Sequence, residues 1–302
     1  MALKKHQGDF DMIKDLNDRL KIYNGVLIPP IGFGVYRIKD LKECENSVVE
    51  AINAGYRLID TAAAYQNEEA VGHAIKHCGV SREELFITTK LWISDFGYEG
   101  AKKGFENSLK KLDIDYLDLF VIHQPYNDYY GAWRALEELY EQGKVRAIGI
   151  DNFTQDRTAD FLFFNKIKPM VNLLECNAFF QREDEKQYLN SENILMEAWS
   201  PLAAGQSKLF ENELLINIAH NHNKSAAQIV LRWLVQRGIV PIVKSTNPQR
   251  IRENLEIFDF VLSDAEMKEI SSLDTGHTCF IPRNTAENVN DFLNRAMTFD
   301  LI

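Results

Sequence analysis

The sequence predicts a single α/β domain, a (β/α)₈ TIM barrel with an N-terminal β-hairpin and a C-terminal tail. Two observations lead to this fold: strand-like and helical segments alternate along the chain, and eight strands can be counted, about 30 residues apart in the first half. Most of these strands are continuous apolar runs, which is typical of parallel strands covered on both faces. We expect one domain over residues 1–302, with 1–18 as an N-terminal extension and 275–302 as the tail.

Taken in order, the elements begin with two apolar runs around Asn24-Gly25, a dipeptide that favours a type I′ hairpin turn. The eight strands are then predicted at residues 30–36, 57–61, 85–90, 117–123, 145–151, 170–177, 195–202 and 239–245. Helices are predicted between them, among others at 41–55, 99–112 and 130–143; the latter two place apolar residues three and four apart. Several helices should end at a left-handed glycine, namely Gly55, Gly79, Gly143 and Gly238.

A doubly wound open sheet is the alternative fold. It would place a glycine-rich phosphate-binding turn after the first strand, and Tyr36-Arg37-Ile38 stands there instead. The barrel therefore accounts for the pattern better.

Composition restricts the classes of partner. A net charge of −10 argues against non-specific nucleic-acid binding, which needs a basic surface. The four cysteines are widely spaced, as in reduced thiols and unlike a disulfide framework. No run approaches the roughly 18 apolar residues of a membrane span, and the N-terminus lacks the apolar core of a signal peptide. We expect a soluble cytoplasmic protein, a monomer or weak homodimer, that acts on small molecules and binds neither nucleic acid nor membrane.

Polar side chains end three successive strands. Asp60 ends the second, Lys90 the third and His123 the fourth, and Tyr65 follows in the loop after Asp60. Taken alone, each has a structural alternative, such as capping a turn for Asp60. Active sites of such barrels lie at the carboxyl ends of the strands, so we expect these four side chains to be neighbours.

Together the four side chains form an acid catalyst. A phenol has a pKa of about 10, and an ammonium roughly 4 Å away favours phenolate by up to about 4 kcal/mol, or about three pKa units. Tyr65 is then the general acid, Lys90 lowers its pKa, Asp60 orients Lys90, and His123 positions the substrate oxygen. A phenol that protonates a carbonyl oxygen needs an electron pair delivered to carbon, which implies a hydride-donating cofactor.

At this point the sequence resembles the aldo-keto reductase family over about residues 20–290, closest to bacterial-type members related to diketogluconate and broad aldehyde reductases. The resemblance is carried by "GFGVYR", "GYRLIDTAAAYQNEEAVGHAIK", "TKLW", "DYLDLFVIHQP", "GKVRAIGIDNF", "WSPLAAG" and "PIVKSTNPQRIRENLEIFDF". It implies the same barrel, an Asp-Tyr-Lys-His tetrad at the four residues above, and NADPH/NADP+ bound across the barrel mouth.

The resemblance also implies a set of cofactor-binding residues. Lys244, Ser245, Thr246 and Arg250 would hold the adenosine 2′-phosphate, which predicts NADP(H) over NAD(H). Trp199 would stack on the nicotinamide. The remaining contacts would come from Gly34, Val35, Asp151, Asn152, Ser200, Pro201, Leu202, Glu253 and Asn254.

Three departures from the family pattern concern the nicotinamide and substrate sites. Asp151 stands where the family has serine, and its negative charge should favour the oxidised nicotinamide ring. Leu173 replaces a glutamine that contacts the carboxamide, and Asn177-Ala178 replaces His-Pro. Gln124 stands where many members have tryptophan. We expect a looser nicotinamide clamp and a more polar substrate site.

The substrate pocket should be lined by Tyr36, Trp92, Gln124 and Phe280. The short loop after the fourth strand suggests an open mouth. Small aldehydes, α-dicarbonyls and keto-sugars all suit these residues, so the predicted activity is NADPH-dependent reduction of aldehydes and ketones to alcohols.

Three other functions remain open from the sequence. The first is an NADPH-binding regulatory or scaffold protein with little turnover. The second is a barrel hydrolase that pairs Asp60 with Glu175. The third is a metal site at His73 and His77, four residues apart, although a solvated helix face explains them better and the proposed chemistry needs no metal.

Overall fold

Eight parallel strands form a closed barrel in the computed structural model, which describes residues 13–298. Most of the expected 1–18 extension lies outside the described residues. Around the barrel each strand pairs with its successor in the chain, and the last pairs with the first. The barrel strands are β3 (Gly32–Gly34), β4 (Leu58–Asp60), β5 (Phe86–Leu91), β6 (Leu117–Ile122), β7 (Val145–Asp151), β8 (Val171–Glu175), β9 (Leu195–Trp199) and β10 (Val240–Val243).

Helices follow the strands on the outside. They are α1 (Leu41–Ala54), α2 (Glu68–His77), α3 (Tyr98–Leu112), α4 (Tyr129–Glu141), α5 (Gln155–Phe164), α6 (Glu183–Ser191), α7 (Glu213–His222), α8 (Ala226–Gln236), α9 (Pro248–Glu253), α10 (Asp264–Ser271) and α11 (Ala286–Met297). The predicted glycine ends are confirmed, with positive φ at Gly55 (119°), Gly79 (74°), Gly143 (72°) and Gly238 (72°).

The N-terminal hairpin pairs β1 (Leu20–Lys21) with β2 (Leu27–Ile28), as predicted. Its turn is not type I′, because only Gly25 has a positive φ (91°) and Asn24 does not. Gly25 donates to the Ile22 carbonyl (2.9 Å), and Ile22 donates to the Val26 carbonyl (3.0 Å). The loop therefore has three residues with the left-handed glycine last, the arrangement of a glycine bulge.

The barrel strands are shorter than the apolar runs that predicted them. The run at 30–36 yields a strand of three residues, Gly32–Gly34, and the run at 195–202 ends at Trp199. After Trp199 the backbone turns away, since Ser200 has a positive φ of 48°. The residues left over at the carboxyl ends form loops, in which Val35 and Pro201 are buried and Tyr36 is exposed.

The C-terminal tail covers part of that mouth. Trp92 donates its indole N–H to the Ala296 carbonyl (3.0 Å), and Phe292 packs on Trp92 and Tyr126 at 6.4 and 5.5 Å between ring centroids. The loop after β6 is short, as expected, but α11 packs on Trp92 and Tyr126 beside it, so the tail covers this side of the mouth. No described helix is long and apolar enough to cross a bilayer.

Candidate active site

Three strands deliver the four predicted catalytic side chains to one place. Asp60 is the last residue of β4, Lys90 lies near the end of β5, and His123 directly follows β6. Tyr65 ends a short 3₁₀ turn, Ala63–Tyr65, that rises from β4. Asp60, Lys90 and His123 are 4, 2 and 7% exposed, so charge and hydrogen bonding act here with little solvent screening.

Lys90 uses all three of its ammonium hydrogens to bind Asp60, Thr61 and Tyr65. Its Nζ donates to Asp60 Oδ1 (2.6 Å), to the Thr61 carbonyl (3.2 Å) and to the Tyr65 hydroxyl oxygen (3.3 Å). Because that oxygen accepts from Lys90, the Tyr65 hydroxyl hydrogen is left to donate elsewhere.

Burial and neighbouring charges shift the pKa values of Tyr65 and Lys90 in opposite directions. Burial raises the pKa of the Tyr65 phenol above its ordinary value, and Lys90 only partly offsets this. The expectation that Lys90 would bring this pKa below 10 was therefore wrong, since it neglected desolvation of the phenolate. Burial also opposes the charge on Lys90, but Asp60 and Tyr65 outweigh it and raise the pKa of the amine. Tyr65 is thus a protonated donor beside a permanent cation.

His123 is a neutral imidazole. Burial, followed by repulsion from Lys90 and Arg283, holds the pKa of His123 well below its usual range. Its Nδ1 has no hydrogen-bond partner among the described residues, and its Nε2 lies 3.8 Å from Asp151 Oδ2, beyond hydrogen-bond distance. The ring packs edge-on against Tyr65 and Trp92, at 5.6 and 5.0 Å between centroids. One ring N–H is thus available for a substrate oxygen.

Two further carboxyls lie in the barrel beside the catalytic group. Asp151 is in register with Leu173, and Leu173 with Glu197, so the three occupy matching positions on β7, β8 and β9. Burial raises the pKa of Asp151 well above its ordinary value, which opposes the negative charge expected there. Burial also raises the pKa of Glu197 to about 8. Glu197 was missed from the sequence, although an acid inside an apolar strand was a signal for it.

The residues expected around the nicotinamide lie close to His123. Trp199 donates its indole N–H to Asn152 Oδ1 (3.0 Å), and Asn152 Nδ2 donates to the His123 carbonyl (3.4 Å). Leu173 is buried in the core, and Asn177 Oδ1 accepts from the backbone of the loop that follows it. Leu173 therefore provides no amide group at the position where the family pattern has glutamine, and Asn177 does not replace it.

The expected phosphate-binding residues follow β10. Lys244 and Arg250 are exposed, Ser245 and Thr246 are half-buried, and neither cation forms an ion pair within residues 13–298. The first N–H groups of α9 donate to the Asn247 side chain, so the anion-binding capacity here comes from side chains. Two unpaired cations beside two hydroxyls fit a phosphate group.

The other expected cofactor residues lie at the end of α9, at the end of β3 and in the loop after β9. Asn254 is buried, and Glu253 accepts from Gln249 (2.6 Å). A Cβ atom at Gly34 would lie only 2.9 Å from Ile242 Cγ2, so a larger residue here would disturb β10. Val35 is buried and its N–H donates to the Asp60 carbonyl (3.2 Å). Pro201 is buried and Leu202 half-buried.

The predicted substrate residues surround Tyr65 and His123. The Tyr36 ring lies 5.0 Å from the Tyr65 ring. Trp92 lies against His123 but is only 4% exposed, since the tail covers it. Gln124 Oε1 accepts from Arg283 Nη1 (2.7 Å).

The tail supplies one further predicted residue, Phe280, and contacts another, Glu175. The Phe280 ring lies 5.5 Å from the Trp199 ring. Glu175 accepts from the Thr278 hydroxyl and from the Cys279 N–H (2.9 Å), whereas Asp60 binds Lys90. The two carboxylates of the hydrolase alternative are therefore engaged by different partners.

Sequence reasoning placed Phe280 at the pocket but missed α11 and its packing on Trp92 and Tyr126. The spacing of apolar residues over 286–297 after Thr285, the N-cap, was the available signal.

Other polar features lie away from the site. Among residues 13–298, no three His, Cys, Asp or Glu side chains are grouped to hold a metal ion. His77 faces Glu45 at 3.9 Å. A cavity of about 430 Å³ opens at the opposite face of the barrel, near Arg19, Arg57 and Leu85.

Comparison with known proteins gives a consistent result. The aldo/keto reductase family matches residues 30–275. The chain is 49% identical over 263 residues to a glyoxal reductase of Bacillus subtilis (strain 168), covering 87% of this chain and 95% of that protein. It is 43% identical over 260 residues to a methylglyoxal reductase of Yersinia pestis, covering 85 and 93%.

A solved structure, the Bombyx mori aldo-keto reductase in complex with NADP, superposes with a TM-score of 0.85 at 32% identity, covering 93% of this chain and 98% of that one. Family match, relatives and architecture agree, and the chain belongs to the aldo/keto reductase family.

Proposed function

We propose that this protein reduces aldehydes and ketones to alcohols with NADPH, and that Tyr65 protonates the carbonyl oxygen. The observation that carries the proposal is the triple contact of Lys90 with Asp60, Thr61 and Tyr65. It fixes the phenol with its oxygen toward a cation and its hydrogen free for the substrate.

The side chains divide the proton chemistry between them. Burial keeps Tyr65 protonated at neutral pH, so the acid is present when substrate arrives. As the phenol gives up its proton, Lys90 stabilises the phenolate that forms, and the stabilisation is larger than in water. Neutral His123 donates a second hydrogen bond to the same substrate oxygen. A positioned acid of this kind contributes about 10²–10⁴ in rate.

NADPH, when bound, supplies the hydride. Lys244, Arg250, Ser245 and Thr246 would hold its 2′-phosphate. The two exposed cations, which form no ion pair within residues 13–298, and the hydroxyls next to Lys244 in the chain support that role. Asn152 and Trp199, linked at 3.0 Å beside His123, would hold the nicotinamide end. The Bombyx mori relative in complex with NADP supports the same cofactor.

The substrates proposed are small reactive carbonyl compounds, α-dicarbonyls among them. The support is that two relatives above 40% identity are a glyoxal reductase and a methylglyoxal reductase. The scaffold alternative is not favoured, because the named relatives are reductases. NADPH consumption with glyoxal and methylglyoxal tests the activity, and no turnover with either above the buffer rate would contradict it.

The cofactor assignment is tested by Lys244→Ala and Arg250→Ala. Each removes a charge from the phosphate site, so the KM for NADPH should rise about tenfold or more, as for a charge-assisted contact, with much less change for NADH. Lys42→Ala, an exposed lysine paired with Glu45 (3.1 Å), is the control. Equal shifts in the KM values for NADPH and NADH would contradict the assignment.

A further inference from the structure

Building on the proposed function, we propose that Asp151 is a proton-binding site that responds to the redox state of the cofactor. It holds a proton in the free protein and in the presence of NADPH, and it gives that proton up when NADP+ is bound. Release of the oxidised cofactor is then coupled to the uptake of a proton by the protein.

The barrel interior below the mouth contains more carboxyl groups than ammonium groups. Asp60, Asp151 and Glu197 are 4, 3 and 0% exposed, and Lys90 lies among them. Lys90 binds Asp60 at 2.6 Å. Within residues 13–298, neither oxygen of Glu197 has a hydrogen-bond partner, and Asp151 Oδ1 has none. A buried carboxyl group without a partner is more stable when protonated, so Asp151 and Glu197 hold protons in the free protein.

The groups that face Asp151 act on it in both directions. Burial raises the pKa of its carboxyl well above the ordinary value, and Lys90 opposes this rise. Asp60 raises the pKa further, whereas Arg283 lowers it. The titratable and charged neighbours come from five strands or their loops and from the tail, and they are Asp60, Tyr65, Lys90, His123, Glu197 and Arg283. Since Lys90 is already bound to Asp60, one further positive charge would favour ionisation of Asp151.

The oxidised cofactor would bring that charge to this part of the mouth. Asn152, the next residue in the chain, accepts from the Trp199 indole (3.0 Å) and donates to the His123 carbonyl (3.4 Å), and this pair would hold the nicotinamide. Asp151 Oδ2 lies 3.8 Å from His123 Nε2. The nicotinamide ring is positively charged when oxidised and uncharged when reduced. An opposite charge within about 4–6 Å lowers the pKa of a carboxyl group by about 1–3 units.

The proton balance of a turnover follows from this coupling. Hydride reaches the carbonyl carbon while Tyr65 gives its proton to the carbonyl oxygen, which completes the alcohol and leaves a phenolate beside an oxidised cofactor. The new positive charge favours ionisation of Asp151, and the proton released balances the one that Tyr65 must recover. Solvent supplies the net proton of the reaction when NADP+ leaves and Asp151 is protonated again.

The coupling depends on an acid at this position of the chain. Serine, the residue of the family pattern, carries a hydroxyl that does not titrate near neutral pH. Glu197 is a second buried acid, but it lies two residues before Trp199 on β9, about 7 Å deeper along the strand. We therefore expect Glu197 to keep its proton with either cofactor, so Asp151 alone accounts for the exchange.

The test counts the protons released when a cofactor binds. Isothermal titration calorimetry is carried out with NADP+ and with NADPH, from about pH 6 to about pH 8, in buffers of different ionisation enthalpy. Both cofactors carry the 2′-phosphate, so their difference isolates the charge of the ring. Wild type should release up to about one proton more with NADP+, and the ratio of the NADP+ Kd to the NADPH Kd should fall by up to about tenfold per pH unit.

Variants then assign the proton to a residue. Asp151→Asn keeps the shape of the side chain and Asp151→Ser restores the residue of the family pattern. Both should bind the two cofactors with the same number of protons released and with a ratio of Kd values that no longer depends on pH. Glu197→Gln and Tyr65→Phe are the matched controls, since each removes another buried titratable group, and both should retain the difference seen in wild type.

Three results would overturn the inference. Wild type could release equal numbers of protons with NADP+ and NADPH, the difference could persist in Asp151→Asn and Asp151→Ser, or it could be lost in Glu197→Gln. Reduction of methylglyoxal by a wild-type protein that shows no such difference would overturn this inference and leave the proposed function standing. Failure of the wild type to bind either cofactor would contradict both.

Discussion

At the scale of single residues, Lys90 determines what the site can do. It is 2% exposed, and each of its three donors has a partner. Asp60 fixes its position, and Tyr65 receives the third hydrogen bond. The identity and adjacency of these residues could be predicted from strand-end positions alone. The protonation of Tyr65 could not, because desolvation depends on every atom that surrounds the phenol.

Glu197 makes a prediction about stability. Burial raises its pKa to about 8, whereas an unfolded chain has the ordinary value near 4.5. Below pH 4.5 both states hold the proton. As pH rises from there to about 8 the unfolded state releases the proton first, so the unfolding free energy falls by up to about 1.4 kcal/mol per pH unit.

Glu197→Gln removes this dependence. The variant should gain about 3 kcal/mol over wild type at pH 7 and much less at pH 5, measured by urea unfolding at both values. Glu106→Gln, at a side chain 63% exposed, is the control and should change little. The same gain for Glu197→Gln at pH 5 and pH 7 would contradict the account of this buried carboxyl.

At the scale of elements, strand register brings the site together and the tail covers part of it. Asp60 pairs in register with Thr88 of β5, and Lys90 with Val121 of β6, so successive strand ends meet at one rim. The strands could be predicted because parallel strands covered on both faces are apolar throughout. Their ends were overestimated, because the loops after β3 and β9 continue with apolar residues, Val35 and Tyr36 in one and Pro201 and Leu202 in the other.

The packing of Phe292 predicts how firmly α11 is held against the barrel. Phe292 is 5% exposed and packs on Tyr126 and Trp92, so Phe292→Ala leaves a cavity beneath this helix. Truncating a buried phenylalanine costs about 3–5 kcal/mol, and here the loss should appear as local opening of the tail.

Hydrogen exchange measures this directly. Amides of α11 should exchange faster in Phe292→Ala, acrylamide should quench tryptophan fluorescence more strongly, and β6 should be unaffected. Asn290→Ala, at an exposed position of the same helix, is the control. Unchanged exchange in α11 would show that Phe292 does not hold the tail in place.

At the scale of the whole molecule, barrel closure explains why distant segments form one site. The carboxyl ends of all eight strands meet at one mouth, so residues as far apart in the chain as Asp60, His123 and Trp199 lie around it. The barrel, its hairpin and the residues at strand ends followed from periodicity and family resemblance. Contacts of the tail, such as Arg283 with Gln124, did not, since they depend on a segment that crosses the mouth after the barrel is complete.

The central claim is that Tyr65 donates the proton during hydride transfer from NADPH. The most direct measurement is the single-turnover rate of NADPH oxidation by methylglyoxal, in wild type and in Tyr65→Phe, each saturated with cofactor and checked by NADPH fluorescence titration. The account predicts unchanged NADPH affinity and a rate lowered by about 10² or more, because the ring remains and only the donor is lost. A Tyr65→Phe variant that reduces methylglyoxal at the wild-type rate would contradict it.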